Sequence, residues 1–348
     1  MALIIAYIIL ITIIVCTAKK SQNNENPLNK ANSVALKGIF CVLIMFHHLF
    51  QNLYNNEDWF LRGLNNILGG VGVGVFFFLS AFGLVISYKK KGKPYIKQVL
   101  RKNISSLYLT YIFTNLLAFL IFWVGKLSFK DAVFKILGFN FLYKFSNISP
   151  NAWFMTTIIL FYLLFCIVYS IFGKDLKKSA IAMTIITIIY NILIIILEKT
   201  WLTQLYIYDR AIICFALGTL YATYYEKVNN YLSKNYVENI LYSLAVIVFG
   251  ILIVEDISAI GTCLLITTLL QRNCIKSKIL TFLGVISFYV YILHGIIISL
   301  LKKVNTNQYF LVFGVLTISI ISAFAYYSIR KFVLKIFTIK RERKKWKI

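Results

Sequence analysis

Three residues in one short run have the types and spacing to do chemistry. The stretch "ALKGIFCVLIMFHHLF", residues 35–50, is apolar enough for hydrocarbon, yet it holds Lys37 near its start and His47 and His48 near its end. Histidine is the usual proton acceptor near neutral pH, and a lysine is a compact point charge for an anion. On a helix, the eleven residues from Lys37 to His48 return to within about 20° of alignment, whereas His47 falls about 80° off that line. Lys37 and His48 therefore share a face, about 16 Å apart along the axis, with the lysine at one mouth and His48 roughly half-way across a bilayer. An ionisable group at that depth must face a bundle interior or a wet cavity. The other reading is a helix-packing histidine satisfied by a backbone carbonyl. The third histidine, His294 in "ISFYVYILHGIII", also sits in an apolar run. With no histidine in a loop, general-base chemistry or proton movement is the expectation.

The elements that must position these groups follow from composition. The 348 residues are 60% hydrophobic and 14% charged, with three prolines and a mean hydropathy of +0.79. Such a chain is an integral membrane protein. Eleven apolar runs of a length to cross about 30 Å of hydrocarbon fall near 1–17, 34–53, 68–88, 104–125, 153–173, 179–197, 207–225, 237–254, 258–271, 280–301 and 309–329. The ninth is short. The expected fold is all-α: a polytopic transmembrane helix bundle of about ten core helices plus one N-terminal transmembrane helix. Residues 1–33 hold that helix and a polar linker, 34–330 the main domain, and 331–348 a basic tail.

A net charge of +25 invites a nucleic-acid reading, so its distribution matters more than its size. With Met1 outside, the inner segments collect 28 of the 37 Lys and Arg: four in 18–37, seven in 89–102, three in 174–178, two in 226–236, three in 271–279 and nine in 330–348. This positive-inside bias puts the N-terminus out and the C-terminus in the cytosol, and removes the need for a nucleic-acid partner. The tail "IKRERKKWKI" fits an anionic lipid surface. The run "MALIIAYIILITIIVC" lacks a basic start and a small-residue cleavage site, so an uncleaved helix is expected. Six cysteines without CxxC spacing support neither a metal site nor a disulfide framework. Richness in Ile, Lys and Asn points to an AT-rich bacterial genome and hence a bacterial cell membrane.

"KGIFCVLIMFHHLF" resembles the Arg/Lys-x10-His signature of membrane acyltransferase family 3, with Lys37 and His48 at the matching spacing. Four further stretches agree in order. "GVGVFFFLSAFGL" (72–84) is similar to the family's Phe-rich segment, "YIKQVLRKNISSLYLTYI" (95–112) to the basic start of its third helix, "NAWFMTTIILFYLLF" (151–165) to its Trp-Phe…Tyr helix, and "ISFYVYILHG" (286–295) to its Ser-Tyr-x-x-Tyr-x-x-His end. The resemblance spans residues 34 to about 330. It implies transfer of an acyl group, commonly acetyl, from cytosolic acyl-CoA as co-substrate, with no bound cofactor and no metal, to a hydroxyl of a glycan or lipid-linked glycan. His48 is the implied catalytic base, with direct transfer and an acyl-histidine intermediate both open. Ala81 and Lys37 stand where glycine and arginine are commoner in the family. Because lysine cannot grip a phosphate with two parallel hydrogen bonds, Arg101 or Lys102 is expected to share donor binding with Lys37.

His47, Ser80, Trp153, Tyr162, Ser287, Tyr291 and His294 are expected to line the cavity, with Ser80, Trp153 and Tyr162 reading equally as ordinary core residues. Asp209 and Arg210, in "YIYDRAIICFALG", stand at the outer start of the seventh run, either to hold an acceptor sugar or to pair at the interface. The glycines of "GGVGVG" (69–74) have no strand before them and read as close helix packing rather than a dinucleotide site. A glycan-lipid flippase or transporter, or a polymerase of the same pathway, is the alternative function. A flippase predicts two related halves, which the sequence lacks, and a polymerase predicts an outer loop much longer than the 27 or so residues of 126–152.

Overall fold

The computed structural model describes residues 1–21, 26–53, 59–138, 149, 152–200, 211–253 and 255–345, with side chains left out at 59–66, 152, 198–200, 255 and 334–345. Fourteen α-helices occupy these residues: α1 Ala2–Thr17, α2 Lys30–Leu53, α3 Trp59–Lys91, α4 Pro94–Gln98, α5 Ser105–Phe122, α6 Phe129–Ile136, α7 Ala152–Phe172, α8 Leu176–Thr200, α9 Ile213–Thr223, α10 Tyr225–Lys234, α11 Tyr236–Leu252, α12 Glu255–Leu269, α13 Lys278–Val304 and α14 Gln308–Lys345. A π-helical stretch, Val99–Ile104, joins α4 to α5. Polar side chains set several starts. Asn29 Oδ1 accepts from the Asn32 amide (2.9 Å), Ser277 Oγ from Leu280 (3.2 Å), and Asp175 Oδ1 from Lys177 and Lys178 (3.0 and 3.1 Å). Each satisfies a backbone N–H that the first helical turn leaves open.

The all-α polytopic bundle is as expected, with a difference in span length. Seven described helices are long and apolar enough to cross a membrane, eight if the pair α10 and α11, bent by 101°, is one span. Three of the expected runs are shorter helices: α1, α9 and α12 have 16, 11 and 15 residues. α9 and α12 pack on α3 inside the bundle, and Asp256 Oδ1 accepts from the Ala211 amide at the head of α9 (2.7 Å). Helices covered by protein need not match the hydrocarbon thickness. On α8, by contrast, Ile185, Ile188, Ile192 and Ile196 are all exposed, as on a wall facing lipid. α1 is built into the fold, with Ala2, Leu3, Ala6 and Leu10 buried and Tyr7 against Phe46 of α2 at 4.7 Å.

One face of the bundle gathers the segments that the charge count assigns to the cytosol. Ala18–Lys20 pairs as an antiparallel strand with Asn273–Ile275, and Asn32 Oδ1 accepts from the Ile275 amide (3.0 Å). The Tyr225 hydroxyl donates to Asn26 Oδ1, and Lys89 Nζ donates to the α9 C-terminal carbonyls of Ala222 and Thr223 (2.6 and 3.0 Å). α14 is one continuous helix from Gln308 to Lys345, so the last expected span runs on without a break into the basic tail.

α2 and α13 run parallel and touch backbone to backbone. A Cβ on Gly38 would lie 2.3 Å from the Leu280 carbonyl oxygen, and one on Gly284 only 1.8 Å from that of Val34. Further along, Cys41 Sγ donates to the Ser287 carbonyl (3.5 Å). Close approach through glycine is the usual device for joining membrane helices. Because the atom met is backbone and cannot swing aside, Gly284→Ala should separate the two helices. The cost expected for overpacking is about 1–3 kcal/mol, read as a lower thermal midpoint of the purified protein. An unchanged midpoint would mean that the contact is looser than described.

Candidate active site

α2, α3, α5, α7 and α13 pack in succession around the histidines. α13 lies against α2 and α5, α5 against α7, the rings of α7 against those of α3, and α3 against α2. The parallel register of α2 and α13 brings His48 and His294 together, with ring centroids 5.1 Å apart. His294 is fully buried, and its Nδ1–H donates to the Val290 carbonyl one turn earlier (3.1 Å). His48 is half-buried, and its Nδ1–H donates to Gln51 Oε1 (3.2 Å). A carbonyl-type oxygen only accepts, so with these partners Nδ1 is the donor in both rings.

His47 is placed differently. It is 2% exposed, and its ring lies over Gly69 of α3, where a Cβ would come within 2.6 Å of Cδ2 and Nε2. The glycine run of 69–74 is thus a packing surface: Gly72 faces Ile44 and Gly74 faces Ala259. The two adjacent histidines point to different helices, as their 100° offset requires.

Aromatic rings close the surroundings. Tyr291 stands 5.8 Å from His294, Phe154 of α7 stands 4.9 Å from Tyr291, and Phe76 of α3 packs on both at 6.4 and 6.5 Å. Trp153 is buried beside Phe154. Ser80 and Tyr162 meet side chain to side chain across the α3–α7 boundary. Ser287 turns back on its own helix, donating to the Gly284 carbonyl (2.9 Å). It belongs to the α2–α13 seam. Asp209 and Arg210 lie outside the described residues.

Lys37 sits three turns before His48 on the same helix, half-buried, and among the described residues it has no hydrogen-bond or ion-pair partner. A cation in that position favours an anionic ligand. Arg101 and Lys102 are exposed. Arg101 lines an open groove with Lys93, Ile96, Lys97, Leu100 and Ser170, to which neither α2 nor α13 contributes.

Two features escaped the sequence. Gln51 holds His48 from the next turn of the same helix, a relation that three-residue spacing would have revealed. Arg330, counted with the basic tail, folds inward and donates to Tyr289 Oη on α13 and Ser106 Oγ on α5, joining three helices. Its signal was Tyr326 and Tyr327 one turn earlier, inside the expected span, whose inward face Arg330 continues one residue past its end.

The bundle thus holds an imidazole pair among aromatic rings, with Lys37 earlier on the same helix as His48. A family model described as an acyltransferase domain matches residues 34–328. The chain belongs to membrane acyltransferase family 3 and is an acyltransferase. No curated protein and no solved structure matches it.

If the His47 ring fills the space over Gly69, Gly69→Ala should destabilise the protein by about 1–3 kcal/mol. Adding His47→Ala should recover much of that loss, a coupling that thermal midpoints of the two single variants and the double variant would measure. Strict additivity of the two losses would show that the contact carries no energy.

Proposed function

We propose that this acyltransferase moves an acyl group, acetyl first among the candidates, from cytosolic acyl-CoA to a hydroxyl of a cell-surface or exported glycan, free or lipid-linked, with His48 as the general base. The supporting observation is the joint placement on α2 of a half-buried His48 beside His294 and, three turns earlier on the same face, a Lys37 without a partner among the described residues. With the N-terminus outside and the C-terminus in the cytosol of a bacterial cell, Lys37 lies at the cytosolic end of α2.

In this reading the donor's phosphates rest near Lys37 and its thin arm carries the thioester toward His48. His48 Nε2 takes the proton of the acceptor hydroxyl as that oxygen attacks the thioester carbonyl. The tetrahedral intermediate collapses with cleavage of the C–S bond, and the thiolate leaves as the thiol after taking up the proton. A transient acyl group on His48 Nε2, passed on to the hydroxyl, uses the same residue and the same cavity. His294, buried and fixed by Val290, holds the His48 ring from the side, and His47 serves packing.

Two measurements bear on this. In membranes at matched protein level, with labelled acetyl-CoA and transfer to glycan read by mass spectrometry, His48→Ala should lose 10²–10⁴-fold or more, the typical worth of a positioned base. His47→Ala should keep most of its activity. An active His48→Ala protein, or equal loss in both, would remove His48 as the base. Lys37→Gln should raise the apparent KM for acyl-CoA by roughly tenfold or more, a charge-assisted hydrogen bond being worth about 1.5–3 kcal/mol. An unchanged donor titration would place the phosphates elsewhere.

A further inference from the structure

Lys93, Lys97 and Arg101 follow one another at four-residue intervals through α4 and the π-helical stretch, and all three line one open groove of about 480 Å³. Four-residue spacing keeps side chains on one side of a helix. All three are exposed, and none has a hydrogen-bond or ion-pair partner among the described residues. Neighbouring cations avoid their own repulsion in other ways: Lys91 donates to Gln98 (3.0 Å) and lies over the Tyr95 ring, and Lys178 pairs with Asp175 (3.9 Å). The groove therefore concentrates positive charge that no described residue neutralises.

Its remaining walls are aliphatic. Ile96 and Leu100 line it from the same helix, Leu100 being 42% exposed. Ser170 closes it from α7, where the adjacent Ile167 and Ile171 are 56% and 66% exposed. These residues lie where the candidate span Pro94–Phe122 begins and the span Trp153–Phe172 ends. Cations at the membrane surface thus give way directly to apolar side chains facing outward from the bundle.

We propose that this groove seats the phosphate-bearing headgroup of an anionic phospholipid from the adjoining leaflet, with an acyl chain laid along Leu100, Ile167 and Ile171. A wholly soluble phosphate ligand would use the cations and leave the outward aliphatic wall uncovered. A single groove that joins three uncompensated cations to such a wall matches an amphiphile with an anionic head. The assignment takes Arg101 away from the acyl donor and leaves Lys37 as the cation of the donor path. It does not depend on which histidine is the base.

The test uses the full-length protein in nanodiscs of phosphatidylcholine with and without phosphatidylglycerol. Wild-type protein released into the gas phase should retain phosphatidylglycerol in native mass spectra, and its thermal midpoint should rise when that lipid is present. The variant Lys93→Gln/Lys97→Gln/Arg101→Gln, altered only at exposed positions, should lose both responses. A control with Lys174→Gln/Lys177→Gln/Lys178→Gln, removing three cations at the junction of α7 and α8, should keep both. Equal responses in the two triple variants would show diffuse attraction to a charged surface and overturn the proposal. So would a first variant that keeps its bound lipid but loses affinity for free coenzyme A in detergent, which would make the soluble donor the occupant.

Discussion

The register between α2 and α13 decides whether the two imidazoles of His48 and His294 meet. Backbone contact at Gly38 and Gly284, the Cys41–Ser287 bond and the His48–His294 contact recur at a nearly constant offset along two parallel helices. A slip of one residue would turn one helix by 100° and move it 1.5 Å, carrying one imidazole out of the shared space. Membrane helices lack a hydrophobic drive toward one another, so close packing and hydrogen bonds must supply this precision. The glycine contacts occupy the first turns of both helices, and the histidines sit some ten residues further on, where the register has been set.

Polar side chains in hydrocarbon must find partners, and most here find them on their own helix. Thr110, Thr114, Thr157, Thr187 and Thr267 each donate to a carbonyl one turn back. Such bonds satisfy the hydroxyl without joining helices. Against that background the groups that reach across helices stand out. Arg330 spends its donors on two hydroxyls and locks α14 to α13 and α5. Lys37 has no such settlement among the described residues, although it is half-buried. The two cations differ in kind: one ties three helices together, and the other has no partner among the described residues.

Much of this was legible in advance because it rests on short-range regularities. Apolar run length located the helices, and the 100° step separated His48 from His47 before any neighbour was known. The partners themselves were not legible. His294 lies 246 residues from His48, and no period links positions that far apart. The same limit hid Asp256, which holds the head of α9 from the start of α12. Hydropathy also left open which apolar runs cross the membrane, since α9 and α12, packed against α3, look as apolar as helices facing lipid. In residues 89–102, seven charges read as one basic loop, but the helical backbone sorts them: Lys89 caps α9, Lys91 meets Gln98, and Lys93, Lys97 and Arg101 share a groove.

Because Lys37 and His48 belong to one uninterrupted helix, Lys30–Leu53, their separation is not adjustable by loop motion or by domain closure. The about 16 Å along the axis acts as a ruler. A donor can meet both groups at once only if its anionic end and its reacting carbonyl are held apart by a comparable length of slender chain. A compact acyl phosphate, with charge and carbonyl a few bonds apart, would satisfy the lysine or the base but never both. A thioester at the end of a long arm satisfies both without distorting the helix. The surroundings of His294 at that far end are aromatic, built from Phe76, Phe154 and Tyr291. Under the proposed function, donor selectivity then rests on the fixed length of α2 between Lys37 and His48 rather than on the strength of any single phosphate contact.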